Sequence, residues 1–217
     1  MAEPAPPEKV AVVIAHPDDE VLGCGGTIAK LAARGAAVRV VLPLRRQDPR
    51  GVECWDALVA ALERSCAVLG AECTLAVPLM DERRAETDPH ELHDAIVSHV
   101  EWADLVLTHW PGDVNQVHRG VARAVEIATR PFRRRRDVWL FEVPTSTDQA
   151  FVQSFSPNTW VALGEEHLAR KCEAIALYAS EETAGRTPAD VERRARVRGA
   201  EIGAFAAEPF VTARRFL

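Results

Sequence analysis

Two short polar segments each follow an apolar run of the kind that forms a buried strand. They cover residues 16–20 (HPDDE) and residues 109–118 (HWPGDVNQVH). His16 and Asp19 lie three positions apart across a turn, and His118 comes from the second segment. Two imidazoles and one carboxylate suit Zn²⁺, and three protein ligands leave a coordination position open for water. The pattern therefore indicates a hydrolytic metal site.

Simpler explanations account for some of these residues. An Asp at a helix start accepts hydrogen bonds from backbone N–H groups, so Asp18 or Asp19 could serve only as a helix cap. Polar segments after strands are also ordinary loops. A cap explains one Asp, but it does not explain a His at the strand end beside a second Asp and a Glu. In the metal hypothesis, Asp18 is the spare carboxylate that takes a proton from water.

The elements that must position these residues alternate between apolar strands and amphipathic helices. Such alternation predicts an α/β fold: a single-domain, Rossmann-like three-layer sandwich with a mostly parallel sheet. Ligands bind such sheets outside the carboxyl ends of the strands, where both polar segments lie. The predicted strands cover residues 10–15, 37–44, 73–77, 104–108 and 138–143, and the predicted helices cover 21–34, 54–69, 90–102, 118–129, 165–178 and 188–206, followed by a short tail through Phe210.

Composition restricts the class of protein. The 217 residues are 47% hydrophobic and 27% charged, which is typical of a globular chain, and the formal net charge is −6. An acidic chain lacks the basic excess that recruits nucleic acid, so we expect no nucleic-acid partner. The arginine run at residues 133–136 favours a solvated loop over a phosphate or nucleic-acid patch.

Location and cysteine chemistry follow from the same sequence. No apolar run is long enough to cross a membrane, and the Pro-rich residues 1–8 do not form an export signal, so we expect a cytoplasmic protein with a flexible N-terminus over those residues. The five cysteines form no CxxC pair, which predicts buried free thiols.

The motifs resemble those of a known family. Ala15-His-Pro-Asp-Asp-Glu20, followed by Leu22-Gly-Cys-Gly-Gly-Thr27, resembles the signature of the LmbE-like (PIG-L) deacetylases. The segment Thr108-His-x-x-Gly-Asp-x-Asn-x-x-His-Arg119 is similar to the family's second motif. Later similarities lie at residues 141–147, 156–158, 171, 178–180 and 198–210, so the resemblance implies one LmbE-like deacetylase domain over residues 1–217.

The resemblance implies a role for each matching residue. His16, Asp19 and His118 would be the metal ligands, with one Zn²⁺ per chain and other divalent metals such as Fe²⁺ also possible. Asp18 would be the general base and the acid that protonates the leaving amine. Asn115 would donate a hydrogen bond to the substrate or to the oxyanion.

The implied activity is that of a zinc-dependent hydrolase, which removes acetyl from an N-acetylated amino sugar or its conjugate. One alternative is an amidase acting on a larger acyl group or a thiol conjugate. Another is a non-catalytic family member, because the family usually has Asp where this chain has Val117. A Rossmann-type nucleotide binder is disfavoured, because Ile28 stands where the glycine pattern needs Gly. The expected partner is a small N-acetylated sugar or amine, and relatives form dimers, trimers or hexamers.

Several nearby residues have both a functional and a purely structural interpretation. His109 lines the pocket or only packs, and Asp113 orients a ligand histidine or only closes the Pro-Gly turn. Glu20 supports the site or only the helix start. Arg50 contacts a sugar hydroxyl or phosphate, or is a solvated loop residue. The glycines of residues 23–27 favour tight packing of the helix start over a phosphate loop.

Overall fold

In a computed structural model, the alternating pattern folds into one seven-stranded sheet between two layers of helices, which confirms the predicted α/β architecture. The structure describes residues 6–132, 134–151, 154–181 and 183–216, without the side chain of Arg50. The N-terminal segment predicted to be flexible falls largely on residues 1–5, which lie outside the described residues.

Strands and helices follow one another along the chain with few long connections. The strands are β1 (Lys9–Val13), β2 (Ala37–Arg45), β3 (Glu72–Asp81), β4 (Leu105–His109), β5 (Asp137–Phe141), β6 (Thr159–Leu163) and β7 (Ala206–Arg214). The helices are α1 (Asp19–Ala33), α2 (Pro49–Glu53), α3 (Trp55–Leu69), α4 (Pro89–Trp102), α5 (Gln116–Ala128), α6 (Glu165–Ala176) and α7 (Pro188–Ala200).

The order of strands in the sheet fixes where a ligand can bind. The order is β3-β2-β1-β4-β5-β7-β6, with parallel pairing from β3 to β5 and antiparallel pairing of β7 with both its neighbours. The chain leaves β1 in one direction and β4 in the other, so a crevice opens between the carboxyl ends of these two strands. Both polar segments begin there, because one follows β1 and the other follows β4.

Alternating side chains of β1 divide the core between the two faces of the sheet. Val10 and Val12 belong to the apolar cluster that includes residues of α1, α3 and α6. Ala11 and Val13 belong to the cluster that includes residues of α4 and α5. Because both faces of β1 are covered, the strand is apolar throughout, as expected of a central parallel strand.

The C-terminal third differs from the sequence prediction. The helix predicted over residues 188–206 ends at Ala200, and the tail expected to pack back forms the nine-residue strand β7. Strand β6 was not predicted at all, and β3 extends to Asp81 instead of ending at Val77. Prolines interrupt the apolar runs of both β3 and β7, which concealed their length.

Glycines of α1 allow neighbouring elements to approach closely, which confirms the packing interpretation. A Cβ atom at Gly23 would lie 2.3 Å from the Phe141 ring, and one at Gly26 would lie 2.4 Å from Leu163. All five cysteines are free, but only Cys24 and Cys66 are fully buried, so the prediction of five buried thiols was partly wrong. In the described part of the chain, none of the helices has the length and apolar character needed to cross a membrane.

Candidate functional site

Three side chains from the two polar segments meet in the crevice between β1 and β4. His16, Asp19 and His118 each offer one ligand atom, and these atoms all lie within 4.8 Å of one another. His16 Nδ1 is 3.6 Å from Asp19 Oδ2, and His118 Nε2 is 3.5 Å from Asp19 Oδ1. Asp19 and His118 are buried, while His16 is partly exposed. The structure thus brings together the three residues that the sequence singled out.

Each imidazole of this group has a carboxylate behind it. His16 Nε2 lies 3.0 Å from Glu82 Oε2, and His118 Nδ1 lies 3.2 Å from Asp113 Oδ2. The second contact is close but is not aligned as a hydrogen bond. An imidazole that presents one nitrogen to a centre and the other to a carboxylate is typical of metal-binding histidines, because the carboxylate orients the ring.

This donor set fits a divalent cation. Four-coordinate zinc takes imidazole nitrogen and carboxylate oxygen at about 2.0–2.2 Å, which separates neighbouring ligand atoms by roughly the distances found between His16, Asp19 and His118. The outer nitrogens are already directed at Glu82 and Asp113, so the inner nitrogens are the ones left for a metal. That these residues bind a metal stays a prediction.

Asp18 occupies the first position of the turn into α1 in an unusual backbone conformation. Its φ of 105° lies in the left-handed region, which is strained for a residue with a side chain. The backbone N–H of Asp18 donates to Glu20 Oε2, and Asp18 Oδ2 accepts a hydrogen bond of 3.1 Å from Arg186 Nη1. Asp18 makes no side-chain cap for α1, so the cap explanation does not hold for it.

Glu20 turns inward rather than serving only the helix start. Its Oε1 accepts hydrogen bonds from Ser65 Oγ at 2.7 Å and from Tyr178 Oη at 2.6 Å, and its Oε2 accepts the N–H of Asp18. The side chain is completely buried. Glu20 therefore supports the strained turn that carries Asp18.

Crowding of the carboxylates changes their proton affinities. Burial, together with the charge of Asp19, raises the pKa of Asp18 to about 8, although Arg186 acts in the opposite direction. Burial also raises the pKa of Glu20 to about 7. Asp19 behaves differently: burial opposes its charge, but the attraction of His118 and the hydrogen bond with His16 outweigh burial and hold its pKa far below the ordinary range. Of the three neighbouring acids, Asp19 is thus the one that stays ionised.

The two histidines beside Asp19 also differ from each other. Burial opposes a charge on His16, but hydrogen bonds with Asp19 and Glu82 outweigh it and raise its pKa to about 9. A cation in the site would take the place of that proton. His109 is completely buried, and burial together with the charge of His118 lowers its pKa to about 3, so its ring is neutral.

His109 packs beneath the site instead of joining the ligand set. Its Nε2 accepts the backbone N–H of Ala15 at 3.0 Å, and its ring stacks on that of His118 with centroids 4.2 Å apart. An edge contact with Phe141 covers another side of the ring. His109 therefore fixes the plane of His118.

Asp113 resolves the question raised by Val117. Its carboxylate accepts short hydrogen bonds from Ser146 Oγ and Thr147 Oγ1, as well as the N–H of Asn115. These contacts hold the carboxylate against His118. His118 therefore has a carboxylate behind it although residue 117 is Val.

Asn115 is predicted to donate a hydrogen bond to the substrate, and in the structure it caps helix α5. Its Oδ1 accepts the N–H of Val117 at 2.8 Å and so caps α5. The residue also lines the cavity that contains His118. Its predicted contact with substrate is not tested by these contacts.

A cavity of about 390 Å³ lies over the three ligand atoms. Its wall combines cationic and anionic groups, including Arg46, Arg83, Arg186, Asp48 and Glu181. Arg46 Nη1 donates to Glu181 Oε2 at 2.9 Å. A cavity of this size and polarity suits a small hydroxyl-bearing molecule better than an apolar one.

Sequence reasoning missed two residues of this site. Glu82 directly follows β3, where the strand-end rule applies, but the predicted strand stopped four residues too early. Arg186 comes from the loop before α7, and no pattern distinguished it from other surface arginines. The backbone of Arg50, predicted to lie in a loop, forms part of α2, and its side chain is outside the described residues.

Comparison with known proteins places the chain by sequence. A family model described as GlcNAc-PI de-N-acetylase (PIG-L) matches residues 11–129, a segment that carries both polar motifs. No curated protein matches the chain in sequence.

Solved structures resemble the chain over almost its whole length. GalB, the 4-carboxy-2-hydroxymuconate hydratase of Pseudomonas putida KT2440, has a TM-score of 0.74 at 20% identity, covering 97% of this chain and 98% of its own. The N,N'-diacetylchitobiose deacetylase of Pyrococcus horikoshii has a TM-score of 0.70 at 20% identity, covering 95% and 84%. The zinc-inhibited form of the teicoplanin deacetylase Orf2 has a TM-score of 0.70 at 16% identity, covering 96% and 100%. At these identities the likeness concerns the fold.

Proposed function

The chain belongs to the PIG-L family of GlcNAc-PI de-N-acetylases, and from that membership we propose that it is a metal-dependent hydrolase that removes acetyl from an N-acetylated amino sugar or its conjugate. The observation that carries the proposal is the convergence of His16, Asp19 and His118 within 4.8 Å, next to the separate carboxylate of Asp18. The family match ends at residue 129, but β5, β6 and β7 complete the same sheet, so we assign residues 1–217 to one domain.

The three converging residues would hold one divalent cation, Zn²⁺ or Fe²⁺, through two nitrogens and a carboxylate oxygen. Such a cation polarises an amide carbonyl and lowers the pKa of a water molecule. Glu82 and Asp113 keep the two imidazoles in the orientation that binding needs, because each lies against the outer nitrogen of one ring.

Asp18 is the residue that moves the proton. Its carboxylate takes a proton from the attacking water, and the protonated carboxyl then gives it to the leaving nitrogen, so that acetate and a free amine are formed. A pKa above the ordinary range makes the protonated form accessible near neutral pH, which the second step requires. The hydrogen bond from Arg186 holds the carboxylate in place.

Asn115 completes the proposed machinery on the other side of the cavity. Its Oδ1 is fixed by capping α5, which leaves the Nδ2 group with a defined direction. A donor placed this way stabilises negative charge on the carbonyl oxygen of the substrate by about 3 kcal/mol or less. The many charged groups around the 390 Å³ cavity support a hydroxyl-rich substrate.

The test is hydrolysis by the full chain loaded with Zn²⁺ or Fe²⁺. Acetate and amine release would be measured from N-acetylglucosamine, its inositol conjugate and diacetylchitobiose, together with metal content per chain. We expect Asp18→Asn to bind metal but to lose about 10²- to 10⁴-fold in kcat. Asp56→Asn, at an exposed position of α3, is the matched control and should keep full activity.

The same assay separates the alternatives. Amides with larger acyl groups or thiol conjugates, if cleaved faster than acetamides, would replace the acetyl substrate but keep the chemistry. Tight metal binding without hydrolysis of any amide would favour a non-catalytic member or a hydratase such as the GalB structure represents. Full activity of Asp18→Asn would refute the assigned base.

A further inference from the structure

A second cavity, of about 690 Å³, opens at the opposite end of the sheet from the candidate metal site. Its wall is formed by the starts of β4 and β5, by β6 and by the end of α1. Residues 6–7, before β1, and residues 215–216, after β7, complete it. The distance along the strands separates it from residues 16–20 and 109–118. Nothing in the proposed hydrolysis uses it.

Two side chains of this cavity carry buried donors without acceptors. Arg136 is 3% exposed, and neither its Nε nor its Nη2 has a hydrogen-bond partner among the described residues. The same holds for the enclosed Nε1 of Trp139. A buried donor that has lost water without gaining an acceptor costs about 1–3 kcal/mol, and more when it is charged. Both residues line the cavity, and buried donors without a partner are rare in native proteins.

Among the described residues of the arginine run, Arg134 and Arg135 are exposed as the sequence favoured, but Arg136 is not. Arg134 is exposed and pairs with Asp104, whereas Arg136, two positions later at the start of β5, is buried in the cavity wall. That prediction was wrong for Arg136. Burial, together with the charge of Arg134, lowers its pKa, which shows how poorly its surroundings compensate the charge.

The acidic groups nearby are engaged elsewhere. Asp104 accepts hydrogen bonds from the N–H of Lys9 and from Arg134, and Asp137 accepts the N–H of Phe216. Neither forms an ion pair with Arg136 within the described part of the chain. The cavity wall carries five cationic side chains and these two carboxylates, although the chain as a whole has a net charge of −6. The five are Lys30, Arg34, Arg135, Arg136 and Arg215.

We propose that this cavity is a second ligand site, which binds the phosphate or carboxylate group of a small molecule through Arg136 and Trp139. A guanidinium presents donors in a fixed fork that matches two oxygens of such an anion, and the indole N–H supplies a further donor. Trp160 and Phe216 add flat apolar walls against which an organic part of the ligand can pack. The inference does not depend on the proposed hydrolysis.

The test uses inorganic phosphate, adenosine 5'-monophosphate and neutral adenosine as probes of the full chain. Calorimetry gives the affinity, and the NMR signal of the Trp139 indole N–H, identified with Trp139→Phe, reports the site. We expect both anions to bind and to shift that signal, and adenosine to do neither. Tighter binding of the monophosphate than of phosphate identifies an organic ligand, while equal binding identifies the free anion; both results support the site.

Arg136→Met removes the charge and keeps much of the apolar length. It should weaken binding of either anion about ten-fold or more, while Arg64→Met, an equal change of charge at an exposed position of α3, should leave it unchanged. Without added anion, Arg136→Met should melt at the same or a higher temperature than the parent, because it removes a buried charge without a partner. Phosphate should raise the melting temperature of the parent only.

Three results would overturn the proposal. The first is that neither anion binds the full chain, whatever fills the cavity instead. The second is that Arg136→Met binds as tightly as the parent. The third is a marked loss of stability in Arg136→Met together with no stabilisation of the parent by phosphate, since Arg136 would then be a structural residue. Trp139→Phe, which keeps an aromatic ring, provides an independent variant and should weaken binding by a smaller factor.

Discussion

Two groups of buried charges lie on either side of α1, and they are built in opposite ways. At its start, three successive carboxylates, Asp18, Asp19 and Glu20, are buried next to one another, and the pKa values of the first and third are raised even though Arg186 contacts Asp18. On its far side, two buried carboxylates each meet a cation. Glu208 pairs with Lys171, and Glu142 pairs with two arginines of α7.

This difference in charge pairing distinguishes a functional site from contacts that only stabilise the fold. Like charges crowded together raise the energy of the folded chain, so their presence calls for a function that needs shifted proton affinities. Opposite charges in direct contact satisfy one another and hold elements together. By this criterion we assign the proposed chemistry to the turn at Asp18 and a structural role to the contacts of Glu142 and Glu208.

Glu208 shows what the matched charges accomplish. Residue Cys24 interrupts α1 with φ −150° and ψ 22°, which frees backbone N–H groups in the following turn. Glu208 of β7 accepts two of them, from Gly26 at 2.9 Å and from Thr27 at 2.6 Å. Lys171 of α6 then neutralises the carboxylate at 2.5 Å and also donates to Leu22 O. The antiparallel edge of the sheet thereby holds the helix that carries the site.

Removing one partner of this buried pair is the strongest test of the comparison. Lys171→Met leaves Glu208 charged and uncompensated, and we expect it to lower the free energy of unfolding by about 3–5 kcal/mol. Urea unfolding followed by circular dichroism measures the change. The fraction that remains folded should keep the hydrolytic rate of the parent.

The matched control is Arg193→Met, which removes an exposed ion pair with Asp190 and should cost about 1 kcal/mol or less. If Lys171→Met were as stable as this control, or if it lost activity without losing stability, the assignment of these charges to support would be wrong.

A smaller effect is expected where a charge supports the site itself. Asp113→Asn keeps the shape of the side chain but removes the negative charge behind His118, so affinity for Zn²⁺ should fall about 10- to 100-fold. Metal titration against a chelator gives the affinity, and unfolding without metal should change little by comparison.

Glu82→Gln makes the same change behind His16 and serves as the matched variant. Equal losses in both variants would show that the two carboxylates orient their imidazoles in the same way. An unchanged affinity in Asp113→Asn would contradict the role given to that residue.

The sequence predicted the parallel part of the molecule better than the antiparallel part. Strand β4 was placed over residues 104–108 and lies at Leu105–His109, because a strand buried on both faces is a continuous apolar run. Strand β7 contains Pro209 and the buried charge of Glu208, and neither is typical of a strand. The buried charge is explained by a tertiary contact, because Glu208 accepts hydrogen bonds from α1. No local sequence pattern reveals such a contact.

The same limit applies within the site. His16, Asp19 and His118 could be predicted because each follows a strand, and parallel strands bring their carboxyl ends to one edge. Arg186 could not, since it reaches Asp18 from a loop 168 residues later. Arg136 shows the reverse error: its neighbours suggested a solvated run, and burial depends on how β5 begins.

The smallest expected effect concerns the pH dependence of the matched charges. Burial favours the neutral form of Glu142, but hydrogen bonds from Arg198 and Arg194 outweigh it and hold its pKa below the ordinary value of 4.5. A carboxyl whose pKa is lower in the folded than in the unfolded chain stabilises the fold above the unfolded pKa. That contribution is lost as the pH falls through the folded pKa.

Urea unfolding of the parent and of Glu142→Gln between pH 7 and pH 3 measures this contribution. We expect the parent to be more stable at pH 7 and the gap to close as the pH falls below 4.5, because the protonated carboxyl then resembles the amide. Glu192→Gln, which removes an exposed pair with Arg196, should show almost no gap at any pH. A gap for Glu142→Gln that stayed constant with pH would mean that the variant loses packing rather than charge, and Glu142 would then no longer belong with the matched ion pairs.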